Sequence, residues 1–597
     1  MSLSKPENDP LIQHDQIEKL RNNLKRIWGR QTAPVTTGFD IRTGDVRKDG
    51  SQGGVDYRQK CMGSGWTPRR HLSAMVKLAS SDPETAGRML DFWVKTDSTS
   101  ANWWWQQIGT PLYICKTMLL LDRKAEQGSP VRIILDRSSM GMTGQNKVWL
   151  AGIHLMKGLL YDDPEMVREG RSAILSEIRI SEGEGLQPDW SYQQHGAQLQ
   201  FGNYGLSWFQ DMVFWSAVFA GTVYAVPEQK LKLIREYYCS GLRWTLTGTI
   251  MDISACGRQI TDSRPAEKSA ALRRTFSLLR DACGVEDIPE SPEGSICYPL
   301  SGYLIHRCKD FFFSVKMCSS RVIGSETCNS DNMKGLYAGD GATMLYPESR
   351  WNPLSLMLRD WRKVPGTTEL QNPVSLVPQK RPHNANGEYC CFAKGNTAAA
   401  MMSFRNDELN ADKVYFCFGE YIVCMGSGIR AAVQGKTATT LVQTYRDVPV
   451  RLAGESLSDG ETVSAGEISF TFDGMKYLLP EKGEFHFLLD HRRGNWNTID
   501  LESPSTPGSG PMLTIWQEHK QDAPGQYLYM IHPEKIPSPE LEYLRGDGIL
   551  GIRSVKGVII AFFKPGKMGG IEMKKAGLYL DFYGIRTIVP LPRPTGK

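Results

Sequence analysis

One change of pattern constrains this 597-residue chain more than anything else in it. Up to about residue 290, apolar residues recur at helical spacing. Beyond it, short β-rich runs are separated by Gly, Pro, Asn and Asp. The helical spacing predicts helices over His14–Trp28, Arg69–Ser80, Pro83–Thr96, Trp104–Leu121, Lys147–Tyr161, Pro164–Ile180, Leu206–Val226, Glu228–Trp244 and Lys268–Cys283. Asp82-Pro83-Glu84 and Asp163-Pro164-Glu165 each place Asp before a Pro at the first helical position, a helix-start signature. Evenly spaced helices of similar length suggest stacked helical hairpins, and a ring or arc of them buries each apolar stripe.

The second part predicts strands over Phe311–Met317, Glu388–Ala393, Val414–Phe418, Ile468–Phe472, Phe485–Leu489, Met512–Trp516, Gln526–Ile531, Val558–Phe563 and Gly577–Phe582. This is an all-β region of sandwich type. Ser503–Pro511 reads as a loop within it, and Pro533–Pro539 as a second break. The expected domains are therefore 1–290, helical; 291–535, central β-sandwich; and 536–597, a small separate β domain. Thr32–Tyr57, rich in Gly and Thr without a period, reads as a long connection.

Charge and composition exclude some functions. The net charge of +5 and pI near 8.4 suit a polyanionic ligand but fall short of a nucleic-acid binder, and no run of five Lys/Arg occurs. The longest apolar stretch, Leu112–Leu121, is too short to span a bilayer and contains Lys116. No apolar signal core follows Met1, so the expectation is either a cytoplasmic protein or one whose signal was removed. The 13 Cys include no C-x-x-C pair and no His/Cys cluster at zinc spacing. Cys390 and Cys391, adjacent on a predicted strand, should face opposite sides. With 15 Trp, 22 Tyr and 21 Phe, most aromatics fill cores, while partly exposed ones make platforms for sugar rings.

Five segments carry chemistry. His195 and Tyr204 lie nine residues apart in a polar, Gly-punctuated stretch, with Ser191, Gln193, Gln194, Gln198, Gln200 and Asn203 around them. The pair suits proton transfer, though by itself it more readily suits a hydrogen-bonded surface loop. In Asn102-Trp103-Trp104-Trp105, three successive Trp cannot all face one helix core, so at least one should face outward. Asn146 sits at a helix start, where an amide can donate to a carboxylate or merely cap the helix. Arg258 and Arg264 share a loop and can grip a carboxylate or sulfate, lower the pKa of a nearby phenol, or form surface ion pairs. The segment from Ser319 to Gly335 is dense in charge and amide, and its Glu326 is placed to orient a His or an Arg.

Together these segments resemble polysaccharide lyase family 8, the hyaluronate, chondroitin AC and xanthan lyases. The matching pieces run in family order: Asn102-Trp-Trp, Thr143-Gly-Gln-Asn146, His195…Tyr204-Gly, Gly257-Arg258, Ser320-Arg321…Glu326-Thr-Cys-Asn329-Ser-Asp-Asn332, Gly339-Asp-Gly341, and Trp361-Arg-Lys-Val-Pro365-Gly-Thr-Thr368. The resemblance implies a multidomain α + β fold, an incomplete α/α toroid followed by antiparallel β-sandwich domains. It implies Asn146 as the amide that binds a uronate carboxylate, His195 and Tyr204 as the catalytic pair, and Arg258 as the arginine beside the tyrosine. Glu326 and Asn329 would be polar support from the β domain, and Trp103, Trp104 and Trp105 the aromatic run that positions the polymer. Two positions depart from the family pattern: Arg264 follows Arg258 by six residues where four is usual, and Asp331 stands where Glu is common.

The implied reaction is β-elimination at a 4-linked uronate of chondroitin, hyaluronan or a xanthan-type polymer. Tyr204 would take the C5 proton and protonate the leaving oxygen, with His195 the competing base. Arg258 and His195 would lower the cost of ionising the phenol. The chemistry needs no metal or cofactor. A glycoside hydrolase would instead need paired carboxylates, and Asp189, Glu326 and Asp331 form no convincing pair in sequence. A binding protein without turnover is a third class. The expected partner is an acidic polysaccharide and not nucleic acid or a membrane. The expected state is a monomer, and the expected location secreted or periplasmic.

Overall fold

The computed structural model describes residues 10–31, 45–62, 66–284, 286, 288, 291–372 and 376–593. The first half of the expected connection Thr32–Tyr57 lies outside them; its described half includes a turn closed by the Val46–Gln52 bridge. Two compact units divide the chain, and not at residue 290. The first comprises 1–181, 207–238 and 272–287. The second comprises 182–206, 239–271 and 288–597. The connections that carry His195, Tyr204 and Arg258 thus belong to the β-rich unit, a placement that local periodicity does not encode.

The main helices are α1 (Pro10–Gln31), α2 (Arg69–Ser81), α3 (Pro83–Thr96), α4 (Thr110–Leu120), α5 (Pro130–Leu135), α6 (Gly144–Tyr161), α7 (Pro164–Ser176), α8 (Leu206–Phe219), α9 (Glu228–Ser240) and α10 (Arg264–Cys283), the last beginning in the β-rich unit and ending in the helical one. Helix α2 packs on α3 and α6 on α7, while α2, α4 and α6 touch in succession. Both Asp-Pro starts behave as expected. Asp82 accepts from the Thr85 amide, and Asp163 from the amides of Glu165 and Met166. The helix expected over Trp104–Leu121 begins with a π-helical turn, Trp105–Gly109. Short helix α5 was not expected; six residues are too few to show a period. Among the described residues no helix is long and apolar enough to cross a membrane.

The β-rich unit is built from antiparallel sheets. A nine-stranded sheet is centred on Thr397–Arg405, Leu409–Phe418, Tyr421–Ala431 and Gly525–Pro533. One face, with Tyr415, Cys417, Ile422 and Cys424, packs with Phe313 and Val315 of the four-stranded sheet and with Phe485, Phe487, Leu513 and Ile515. The other face, with Val414, Phe416, Val423 and Met425, packs with Leu550, Ile552, Ile559, Leu578 and Leu580 of the C-terminal five-stranded sheet. Burial on both faces explains why Val414–Phe418 lacks polar alternation. It also binds the last sixty residues to the sandwich, so 536–597 is not a separate compact unit.

Cys390 and Cys391 face opposite sides as expected, one in each core. The loop expected over Ser503–Pro511 ends early. Pro507–His519 is a strand paired along Glu484–Asn495, its polar first half lying where the hairpin is exposed.

Candidate active site

The site in the β-rich unit is assembled around one carboxylate. Glu326 is buried. Its Oε1 lies 2.6 Å from His195 Nδ1. Its Oε2 accepts from Arg258 Nη1 at 2.8 Å and from Gln200 Nε2 at 3.4 Å. Arg381 Nε stands 3.5 Å from Oε1. Glu326 therefore orients both a His and an Arg. Tyr204 lies between them. Its ring centroid is 4.8 Å from that of His195, edge-on at 66°, and the Arg258 guanidinium carbon is 6.0 Å from the ring centre.

Local chain geometry places each group. His195 has a left-handed backbone, φ +64°. Its amide donates to Glu184 Oε1 at 2.8 Å, the Gly196 amide donates to the same oxygen at 3.2 Å, and Gln194 donates to the other. The loop is pinned by the Gln198–Ile323 bridge and by the Ile323 amide on Ala197 O. Tyr204 rides on a π-helical turn, Phe201–Gly205, a geometry often found at functional sites. A Cβ at Gly202 would stand 2.7 Å from Cys256 Cα, so only glycine lets this turn approach the 251–256 segment. Gly257, at φ +71° and close to Asn203 and Gln200, turns the chain to aim Arg258. Asp252 anchors that segment: it is fully buried and accepts from the hydroxyls of Tyr303 (2.5 Å), Tyr346 (2.7 Å) and Ser314 (2.8 Å). The loop after Glu326 holds left-handed residues at Asn329, Ser330 and Asn332, and Asn332 Nδ2 donates to Glu326 O at 3.0 Å.

Electrostatics follow from burial against partners. Burial would raise Glu326, but the hydrogen bond to His195 and the charge of Arg258 outweigh it and hold the carboxyl at about 2. Burial raises the Tyr204 phenol above its ordinary value, only partly opposed by the charge of Arg258 and its hydrogen bond. Arg258 thus acts on the phenol in the expected direction, and in the free protein burial outweighs it. Asp331, 3.3 Å from Arg258 Nε, is pushed up to about 7 by burial and by Asp500.

The remaining expected residues are placed as follows. Arg264 is the first residue of α10 and pairs with Glu267 at 3.2 Å in solvent. Asn329 shapes the Glu326 loop through its φ of +54°. In the helical unit, Asn146 is buried in the first turn of α6, and its Oδ1 has no hydrogen-bond partner among the described residues. Trp103 is the outward-facing member of its run, 42% exposed. Trp104 packs edge-on against Trp149, and Trp105 against Trp66. Sequence reasoning missed Glu184, Arg381 and Asp252. Glu184 lies in the aperiodic Ser-Glu-Gly-Glu-Gly stretch, which gives no directional signal. It also missed Glu484, His486 and Glu518, whose ligand atoms lie within 4.8 Å of one another. They come together because Glu484 pairs with Glu518 across a strand pair and His486 follows on the same face.

Family models match both units: "Polysaccharide lyase family 8, N terminal alpha-helical domain" over residues 84–283, and "Polysaccharide lyase family 8, super-sandwich domain" over 293–541. The chain belongs to polysaccharide lyase family 8. The family 8 chain is 25% identical over 540 residues to the chondroitinase-AC of Pedobacter heparinus, covering 83% of this chain and 76% of that one. It is 25% identical over 528 residues to a hyaluronate lyase of Thermasporomyces composti, covering 72% of this chain and 64% of that relative, so it spans less than two thirds of the latter's length. A solved chondroitinase AC lyase, studied with oligosaccharides, superposes with a TM-score of 0.81 at 22% identity over 96% of this chain and 92% of the other. That likeness shows the fold, a helical domain followed by antiparallel sheets. Family 8 relatives are named polysaccharide lyases, which are carbon–oxygen lyases.

Proposed function

We propose that this family 8 lyase cleaves an acidic, uronate-containing polysaccharide, chondroitin or hyaluronan, by β-elimination to 4,5-unsaturated products. The observation that carries the reading is the placement of the Tyr204 phenol against His195 and Arg258, both held by Glu326. A 4-linked uronate loses its C5 proton to a base, the C4–O bond breaks with its electrons leaving on oxygen, and an acid returns a proton to that oxygen. Tyr204 serves as base and then as acid. Ionising an ordinary phenol at pH 7 costs roughly 4 kcal/mol, and burial adds to this, so Arg258 must act on the bound phenol. The family resemblance assigns Asn146 to a uronate carboxylate and Trp103 to stacking on the polymer.

One observation favours a second assignment. With Nδ1–H donated to Glu326, the His195 Nε2 lone pair is left free to accept a proton. His195 is then the base and neutral Tyr204 the acid. Incubation with chondroitin, hyaluronan and xanthan, followed by ultraviolet absorbance of the conjugated double bond, tests the reaction. Hydrolysis gives reducing ends without that absorbance, and a mere binder gives neither. A xanthan-type polymer as sole substrate would shift the substrate assignment and keep the chemistry. A polymer of this size also places the site of action outside the cytoplasm.

A further inference from the structure

The β-rich unit holds a cavity of about 410 Å3, within the range of small-ligand pockets. Its walls include the strands Asp340–Pro347 and Thr437–Tyr445 and the segment 349–359. Arg359, which also borders the small cavity beside Glu326, lines it and is 8% exposed. Among the described residues no carboxylate pairs with its guanidinium, and its Nε is buried without a hydrogen-bond partner. The Trp361 ring centre lies 5.4 Å from the guanidinium carbon. Other arginines nearby are occupied, Arg350 by Asp473 and Arg492 by Asp490 and Gln443. A buried guanidinium without an anion is costly, and burial lowers its pKa to about 10.

The other walls specify what the anion is attached to. Trp351 and Tyr346 present flat rings, edge-on to each other at 5.9 Å. Thr343, Ser355 and Thr444 add hydroxyls. Asp447 and Asp473 also line the cavity. Two carboxylates disfavour a small, dense anion but accept hydrogen bonds from the hydroxyls of a sugar ring.

We propose that this cavity is a second saccharide site, which takes one carboxylated sugar residue with its carboxylate on Arg359 and its ring against Trp351. The choice of a sugar rests on the polysaccharide reading; the need for an anion does not.

Calorimetric titration of the full chain tests this, with sodium glucuronate as probe and glucose and sodium sulfate as comparison arms at constant ionic strength. Glucuronate should bind in the millimolar range or tighter, and Arg359→Met should weaken that binding by about tenfold, as expected for loss of a charge-assisted pair. Trp351→Ala should weaken it too, and decides the matter if Arg359→Met does not fold. Double-bond formation from polymer should stay within about twofold in Trp351→Ala. Unchanged glucuronate binding in the variants, no binding by the wild type, or equal binding of sulfate or glucose overturns the proposal. Failure to form the double bond while glucuronate binding persists would sink the cleavage reading and leave this one standing.

Discussion

His195 Nδ1 and Glu326 Oε1 stand 2.6 Å apart although 131 residues separate them in the chain. The carboxylate fixes which imidazole nitrogen faces outward, and its second oxygen holds Arg258. Glu326→Gln should lower kcat about 100-fold with little change in KM, measured by initial rates on polymer. Stability follows as well. The folded carboxyl titrates at about 2, below its ordinary 4.5, so its contribution is fully present above pH 4.5 and is lost as pH falls towards 2. The shift corresponds to about 3 kcal/mol, and Glu326→Gln should flatten acid unfolding in that window.

Tyr204→Phe removes the phenolic proton and keeps the ring. A loss of about 1,000-fold in kcat/KM is expected with Tm nearly unchanged. Because burial raises the phenol, wild-type activity should climb with pH above neutrality if Tyr204 is the base. Near-normal turnover in Tyr204→Phe would transfer the base role to His195.

Asp331 is held up to about 7, so the folded chain keeps this proton more tightly than the unfolded one does. Its effect on stability therefore runs opposite to that of Glu326, declining as pH rises from about 4 to 7. Asp331→Asn should remove this decline and unfold at a higher temperature than wild type at pH 8, with a smaller difference at pH 5. Thermal unfolding at the two pH values checks it.

Glu184 touches the backbone of His195 and Gly196, not their reacting atoms. It is a positioning residue. Glu184→Ala should lower kcat by about tenfold, since the left-handed turn at His195 loses its anchor. Glu184→Gln, which keeps an acceptor oxygen, should restore part of the rate; a merely structural role would lower Tm and leave the ratio of kcat between the two variants near one.

Trp103 and Trp105 separate binding from folding. Trp103→Ala should raise KM with a stability change within about 0.5 kcal/mol, because the ring is exposed. Trp105→Ala should cost about 3 kcal/mol, since its ring packs on Trp66 and Tyr113. Chemical denaturation and substrate titration measure the two effects.

The sequence alone determined the local features. Asp82 and Asp163 cap helices because an Asp-Pro start is a short-range device, and Val414–Phe418 is a strand because its residues are apolar on both faces. It also supplied the chemical identities of the site, His195, Tyr204, Arg258 and Glu326, through the order of their motifs. Tertiary structure decided what those groups do to one another. That 182–206 and 239–271 join the sheets, that Glu184 and Asp252 anchor the loops, and that the Tyr204 phenol is raised in the free protein all depend on burial and on contacts between distant segments. Periodicity carries no record of these, because desolvation and long-range hydrogen bonds exist only once the chain has closed.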